Sequence, residues 1–210
     1  MRFYETATPD APALLLAHGA GAGEEHPWMQ RVAGGLSARG VTVATFNFPY
    51  RDAGRRLPDK GAVLEDALCA AWETLASRVP AATVLVAGGK SMGGRIASQV
   101  MARRGLHPPP SALVLFGYPL HPPGKPSQRR DAHLPELAQP SLFLHGTRDP
   151  FGSPEEMRAL MSTVPGGSLA VIDGGDHSLV AGGRGGAAGV SLEHAMDTAA
   201  AWILALAAHV

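Results

Sequence analysis

Short apolar runs alternate with longer stretches of helical period from one end of the chain to the other. Residues 13–17, 41–46, 83–87, 112–116, 141–144 and 169–172 read as strands. Each run is nearly continuous in apolar residues, the pattern of a strand covered on both faces in a parallel sheet. Between them, Leu64, Leu68, Ala71, Leu75 and Val79 recur every three or four positions within 61–79 and form one apolar stripe. The final segment repeats the pattern with Leu192, Met196, Ala199, Ile203, Leu206 and Val210. At 154–163 a helix start is spelled out: Ser153 can cap, Pro154 takes the first helical position and Glu156 completes a capping box.

This alternation predicts an α/β fold, a mostly parallel sheet of about six strands with helices on both faces. Ligands in such sheets gather beyond the carboxyl ends of the strands, so chemistry is sought in the segments that follow each strand. Residues 117–140 hold six prolines, a density that excludes a long helix and predicts a stiffened loop. The glycine-rich run 182–189 predicts a mobile loop before the last helix. With no repeat and no linker, the 210 residues are expected to form a single domain over 1–210.

After the strand at 83–87 comes Gly88-Gly89-Lys90-Ser91-Met92-Gly93-Gly94-Arg95, and then a helical stretch at 96–103. The Gly-x-Ser-x-Gly within it arises by chance in about one such chain in five or six, so its setting between strand and helix carries the weight. A turn that tight thrusts the Ser91 hydroxyl outward and needs glycines beside it where strand and helix approach. Gly89-Lys90-Ser91 also looks like the end of a phosphate-binding loop, but Val84 stands where that loop needs its first glycine.

The loop His18-Gly19-Ala20-Gly21-Ala22-Gly23 follows the first strong strand. Acyl transfer needs two backbone N–H groups aimed at the developing oxyanion; Met92, after the nucleophile, and Ala20 are the candidates. The glycine spacing does not fit a dinucleotide fingerprint, and the next strand ends in Phe46-Asn47 with no acid for a ribose. His18 reads as a structural hydrogen-bonding residue.

His145-Gly146-Thr147-Arg148-Asp149-Pro150 and Gly174-Gly175-Asp176-His177-Ser178 follow the two later strands. Ser91, Asp149 and His177 thus stand in the chain order serine, acid, histidine, each beyond a strand end. A neutral His177 can take the serine proton while ionised Asp149 orients it. Asp149 could instead cap the following helix, although Ser153 already serves there. Asp176 is a rival acid, poorly placed beside His177, and His145 reads as a packed, hydrogen-bonded histidine. No His or carboxylate group has metal-ligand spacing, so neither metal nor cofactor is expected.

Together these segments resemble the α/β-hydrolase superfamily over almost the whole chain. Gly88-Gly89-Lys90-Ser91-Met92-Gly93, Tyr118-Pro119-Leu120-His121-Pro122 and Asp176-His177-Ser178 resemble more narrowly a small branch of it. That branch includes testis-expressed protein 30 and the hydrolase-like domain of a nonspecific-lethal complex subunit. The resemblance implies a serine hydrolase acting on an ester or related acyl substrate, and supplies no particular substrate. Lids in the superfamily are inserted where only residues 117–140 are available, so no cap domain is expected. An open cleft is expected instead, lined by Tyr118, His121 and Phe48-Pro49-Tyr50-Arg51. Arg51, Arg55, Arg56, Lys125, Arg129 and Arg130 are placed at this face and read as solvated surface, with recognition of an anionic substrate group as the alternative. A catalytically silent scaffold, and a peptidase or lactone-opening enzyme, are the competing readings.

Charge and composition narrow the partners. Lys plus Arg (18) equals Asp plus Glu (18), so no long-range field favours nucleic acid or an anionic membrane. The one cysteine, Cys69, excludes an internal disulfide and reads as a buried thiol. The first residues lack the apolar core of a signal peptide, which leads to the expectation of a cytoplasmic protein. Oligomeric state is left open.

Overall fold

The computed structural model describes residues 1–82, 84–182 and 187–208. Seven strands form one sheet: β1 (Arg2–Tyr4), β2 (Ala13–Ala17), β3 (Thr42–Phe46), β4 (Leu85–Lys90), β5 (Ala112–Phe116), β6 (Ser141–Gly146) and β7 (Gly167–Ile172). Their order is β1-β3-β2-β4-β5-β6-β7, and every pairing is parallel except β1 with β3. The sheet therefore has one strand more than the six expected. The addition, β1, is a three-residue antiparallel edge, too short to show an apolar pattern.

The continuous apolar runs split between two faces as a pleat requires. In β2, Ala13, Leu15 and Ala17 join one core, while Leu14 and Leu16 join the other. The first core is covered by α3 (Gly61–Arg78), α4 (Met92–Arg103) and α5 (Pro154–Met161). The second is covered by α1 (Pro27–Ser37) and α6 (Ala187–Ala207). A four-residue helix, α2 (Pro49–Asp52), follows β3. The capping box on α5 is formed: Ser153 Oγ accepts from the Glu156 amide, and Glu156 accepts from the Ser153 amide.

Two boundaries differ from expectation. Strand β4 runs on through Gly88, Gly89 and Lys90, because those glycines still pair with Val114 and Leu115 of β5; Thr83 lies outside the described residues. Of the glycine-rich run 182–189, residues 183–186 lie outside the described residues, and α6 already opens at Ala187, inside that run. Helix α1 buries Trp28, Met29, Val32, Ala33 and Leu36 along one face, and Gly34 and Gly35 lie beside that stripe. Gly35 is the face on which Met196 of α6 rests: a Cβ there would meet the Met196 Cε at 3.0 Å. Close helix approach, which costs helix propensity, selects the glycine.

Residues 117–140 contain a single turn of 3₁₀ helix, Leu134–Glu136, and no cap. Among the described residues no helix is long and apolar enough to cross a membrane. The largest side chain fully enclosed in the core is Trp72 of α3, whose indole N–H donates to the Pro108 carbonyl at 2.8 Å. Trp72→Ala removes that packing and leaves the carbonyl unmatched, so urea unfolding should show a loss of about 3–5 kcal/mol.

Candidate active site

Parallel register brings the carboxyl ends of β4, β5, β6 and β7 to one rim. Lys90, the last residue of β4, pairs with Phe116, the last of β5, and the Ser91 amide then donates to the Phe116 carbonyl at 3.0 Å. Ser91 sits at φ 51°, ψ −114°, a left-handed conformation that L-residues avoid. Two neighbours allow it. A Cβ on Gly89 would come within 2.6 Å of the Ala17 carbonyl oxygen, and one on Gly93 within 2.7 Å of the His18 carbonyl oxygen. Only glycines let β2, β4 and α4 close to this distance.

The strain aims the hydroxyl at a histidine. His177 Nε2 lies 2.8 Å from Ser91 Oγ, and His177 Nδ1 lies 2.8 and 3.0 Å from the two carboxylate oxygens of Asp149. The Asp149 side chain is fully buried, and its Oδ1 also accepts from the Phe151 amide at 2.8 Å. A carboxylate accepting at Nδ1 requires a proton there, which leaves Nε2 free to accept from the serine hydroxyl. The arrangement can therefore move a proton from Oγ to Nε2 and hold the resulting imidazolium against a buried anion.

The imidazole is fixed from several directions. Phe151 stacks on it, ring centroids 4.1 Å apart and planes 28° from parallel. Its own carbonyl accepts from Lys90 Nζ at 2.5 Å, and the next carbonyl, Ser178, accepts from the Trp28 indole at 2.8 Å. Asp176, the rival acid, spends Oδ1 on the Ser178 and Val180 amides and so shapes the loop. Burial holds the His177 pKa below its ordinary value, against the raising effect of the Asp149 hydrogen bond; Lys90 depresses it further. Burial also pushes the Lys90 ammonium down to about 8, while Asp149 and Asp176 pull it back up.

Two other histidines near the rim have structural work. His18 is fully buried; its Nε2 accepts from the Phe48 amide at 3.0 Å, so the ring proton sits on Nδ1, which faces the Gly19 carbonyl at 2.9 Å. His145 holds Nε2 against the Gly152 carbonyl at 2.8 Å and so ties the turn that carries Asp149.

A cavity of about 660 Å³ opens over Ser91. Ala20 and Met92, the two expected amide donors, line it. Met92 opens α4, so its N–H is among those the helix itself cannot satisfy. None of the expected lining residues Tyr118, His121, Phe48, Pro49, Tyr50 and Arg51 lines it. Tyr118 is buried, its ring against Phe143 and its hydroxyl donating to the Arg130 carbonyl at 2.6 Å. His121 is buried against the Pro122 carbonyl and Glu156. Arg51 lines a neighbouring cavity of about 310 Å³ with His26 and Asn47. Phe48 and Tyr50 are core residues as well. Their places are taken by His26, Trp28, Lys90, Arg95 and Phe151, while Arg130, expected at this face, does line the cavity. Lys90 had a signal in the sequence, a charge ending an otherwise apolar strand, and Arg95 lies one helical turn beyond Ser91.

A doubly wound, mostly parallel sheet with serine, histidine and aspartate meeting at its carboxyl rim defines the α/β-hydrolase class. The chain belongs to the alpha/beta hydrolase domain family, whose model matches residues 10–206. Its fold is similar to that of dienelactone hydrolase from Anabaena variabilis (21% identity, 95% of this chain and 88% of that one, TM-score 0.72). It is also similar to the esterase domain of a Rhodothermus marinus protein (18%, 93% and 87%, 0.65). A third solved structure, an α/β serine hydrolase without a lid from Xanthomonas campestris, agrees at 19% identity over 92% and 82%, with TM-score 0.64.

The charge balance at the imidazole is open to measurement. At neutral pH Lys90 is mainly protonated and repels a second positive charge on His177, so removing it favours the imidazolium. Histidine ring NMR titration should show a higher His177 pKa in Lys90→Met than in the wild type. An unchanged or lower value would mean that the ammonium does not act on the ring.

Proposed function

We propose that the protein is an esterase-like serine hydrolase in which Ser91, His177 and Asp149 form a catalytic triad. The observation that carries the reading is the unbroken chain of hydrogen bonds from Ser91 Oγ through His177 to buried Asp149, with the serine held in a strained backbone conformation. Ser91 Oγ attacks the carbonyl carbon of a small ester as Nε2 takes its proton, giving a tetrahedral oxyanion. The amides of Met92 and Ala20 are the proposed donors to that oxyanion. Collapse breaks the ester bond, and the imidazolium returns the proton to the departing alkoxide. Water then repeats the sequence on the acyl-enzyme and frees Ser91.

The depressed His177 pKa supports a base already neutral near pH 7. The structural likeness to esterases and to a lidless hydrolase supports an open site reached without a moving cap. The likeness to a dienelactone hydrolase keeps lactone opening as a second reading, since a lactone is an internal ester cleaved by the same steps. The narrower resemblance to the branch of testis-expressed protein 30 and the nonspecific-lethal complex subunit rests on three sequence segments, Gly88-Gly89-Lys90-Ser91-Met92-Gly93, Tyr118-Pro119-Leu120-His121-Pro122 and Asp176-His177-Ser178. A cytoplasmic setting and a single domain over 1–210 fit the same reading.

A fluorophosphonate probe should label the wild type at Ser91 and leave Ser91→Ala unlabelled. Turnover of p-nitrophenyl esters should fall on the order of 10⁶-fold in Ser91→Ala and in His177→Ala, and less in Asp149→Asn. Folded protein that takes no label and turns over no ester of any chain length would be a scaffold.

A further inference from the structure

Two guanidinium groups on the cavity wall have no acidic partner. Arg95 lines the cavity from α4, one helical turn beyond Ser91, and its side chain's hydrogen bond is to the neutral Gln99 amide at 3.2 Å. Arg130 lines it from the 117–140 loop. Among the described residues neither arginine forms an ion pair, whereas Arg39, Arg104 and Arg129 all do. The cavity's carboxylate, Asp59, is already paired with Arg55 at 2.7 Å.

The position of Arg130 is built. The Tyr118 hydroxyl donates to its carbonyl, and its own amide donates to the Leu120 carbonyl at 2.9 Å, so the loop is pinned at this residue. Burial depresses the pKa of Arg95, and the charge on Arg130 adds to the effect, so the two cations face a shared, partly dry space. Holding two unpaired cations together costs stability, and an anion between them relieves it. In the serine-hydrolase reading the leaving alcohol departs against His177 to collect its proton, whereas Arg95 stands on α4, whose first amide, Met92, is the proposed donor to the acyl oxygen; the arginines are therefore assigned to the acyl side.

We infer that the cavity takes esters whose acyl chain ends in a carboxylate, which Arg95 and Arg130 hold. The inference rests on the serine-hydrolase reading for the ester and on the arginines for the carboxylate, and the two can fail separately. Mono-p-nitrophenyl glutarate and p-nitrophenyl valerate share a five-carbon acyl chain and differ in that terminal group. Wild type should prefer the glutarate in kcat/KM, and added salt should erode the preference. Arg95→Gln and Arg130→Gln should each lower the glutarate-to-valerate ratio about tenfold, as expected for losing a hydrogen bond between charged groups. Arg95→Lys keeps the charge and should retain part of the ratio, which covers the case that Arg95→Gln does not fold. Equal ratios in wild type and both glutamine variants would overturn the inference. Binding of monomethyl glutarate and methyl valerate to Ser91→Ala, followed by calorimetry, judges the anion site without catalysis. Preference for the glutarate there, with no turnover in the wild type, would sink the hydrolase reading and leave the anion site standing. No preference would sink the anion site.

Discussion

The buried carboxylate of Asp149 is the constraint around which the rim is organised. A charge with no access to water must be satisfied by fixed donors, and a missing partner is far more costly than a missing surface contact. Here the donors are the Phe151 amide and the His177 ring, supplied from loops that follow two different strands. Meeting that demand determines which His177 nitrogen carries the proton, and so determines that the other nitrogen faces Ser91. The geometry of the site follows from solvation of one anion, propagated through an imidazole.

That demand alone would not place the ring, since an imidazole can pivot about its bond to Asp149. Rotation is removed by stacking on Phe151 and by two donors, Lys90 Nζ and the Trp28 indole, that hold successive carbonyls of the histidine loop. Two of these holders have a second task. Phe151 supplies the amide to Asp149, and Lys90 adjoins Ser91. Parts of the rim distant in sequence are thereby tied to one another, so a shift of the histidine loop would disturb the acid turn and the serine turn together.

What could be read from the sequence divides along physical lines. The order of Ser91, Asp149 and His177 was legible because parallel strands deliver every carboxyl end to one edge, so a motif's position after a strand locates it in space. The side chains of Tyr118, His121 and the 48–51 segment were not, because past a strand end the backbone abandons its period of two. Gly117 turns at φ 61° and sends Tyr118 into the core against Phe143. Edge strand β1 and helix α1 escaped for different reasons. The first has three residues, and the second carries Gly34 and Gly35, two poor helix formers, of which Gly35 lies against Met196 of α6. Lys90 and Arg95 were visible as charges within the elbow motif, but their burial depends on Trp28 and the 117–140 loop, contacts that only folding reveals.

The charges on the rim oppose one another, and that opposition bears on how a base works near neutrality. Asp149 alone would favour imidazolium and leave His177 occupied by a proton before any reaction. Burial and the Lys90 ammonium push the other way, and together they hold the ring neutral while leaving the anion in place to meet the charge that arrives with the serine proton. In the proposed triad the stabilisation is withheld from the resting state and delivered when Oγ gives up its hydrogen, the condition for an interaction to speed a step and not merely tighten binding. A buried lysine beside Ser91 is costly to maintain, and burial lowers its pKa to about 8. In the serine-hydrolase reading that ammonium is the counterweight which lets a buried carboxylate assist the base without saturating it.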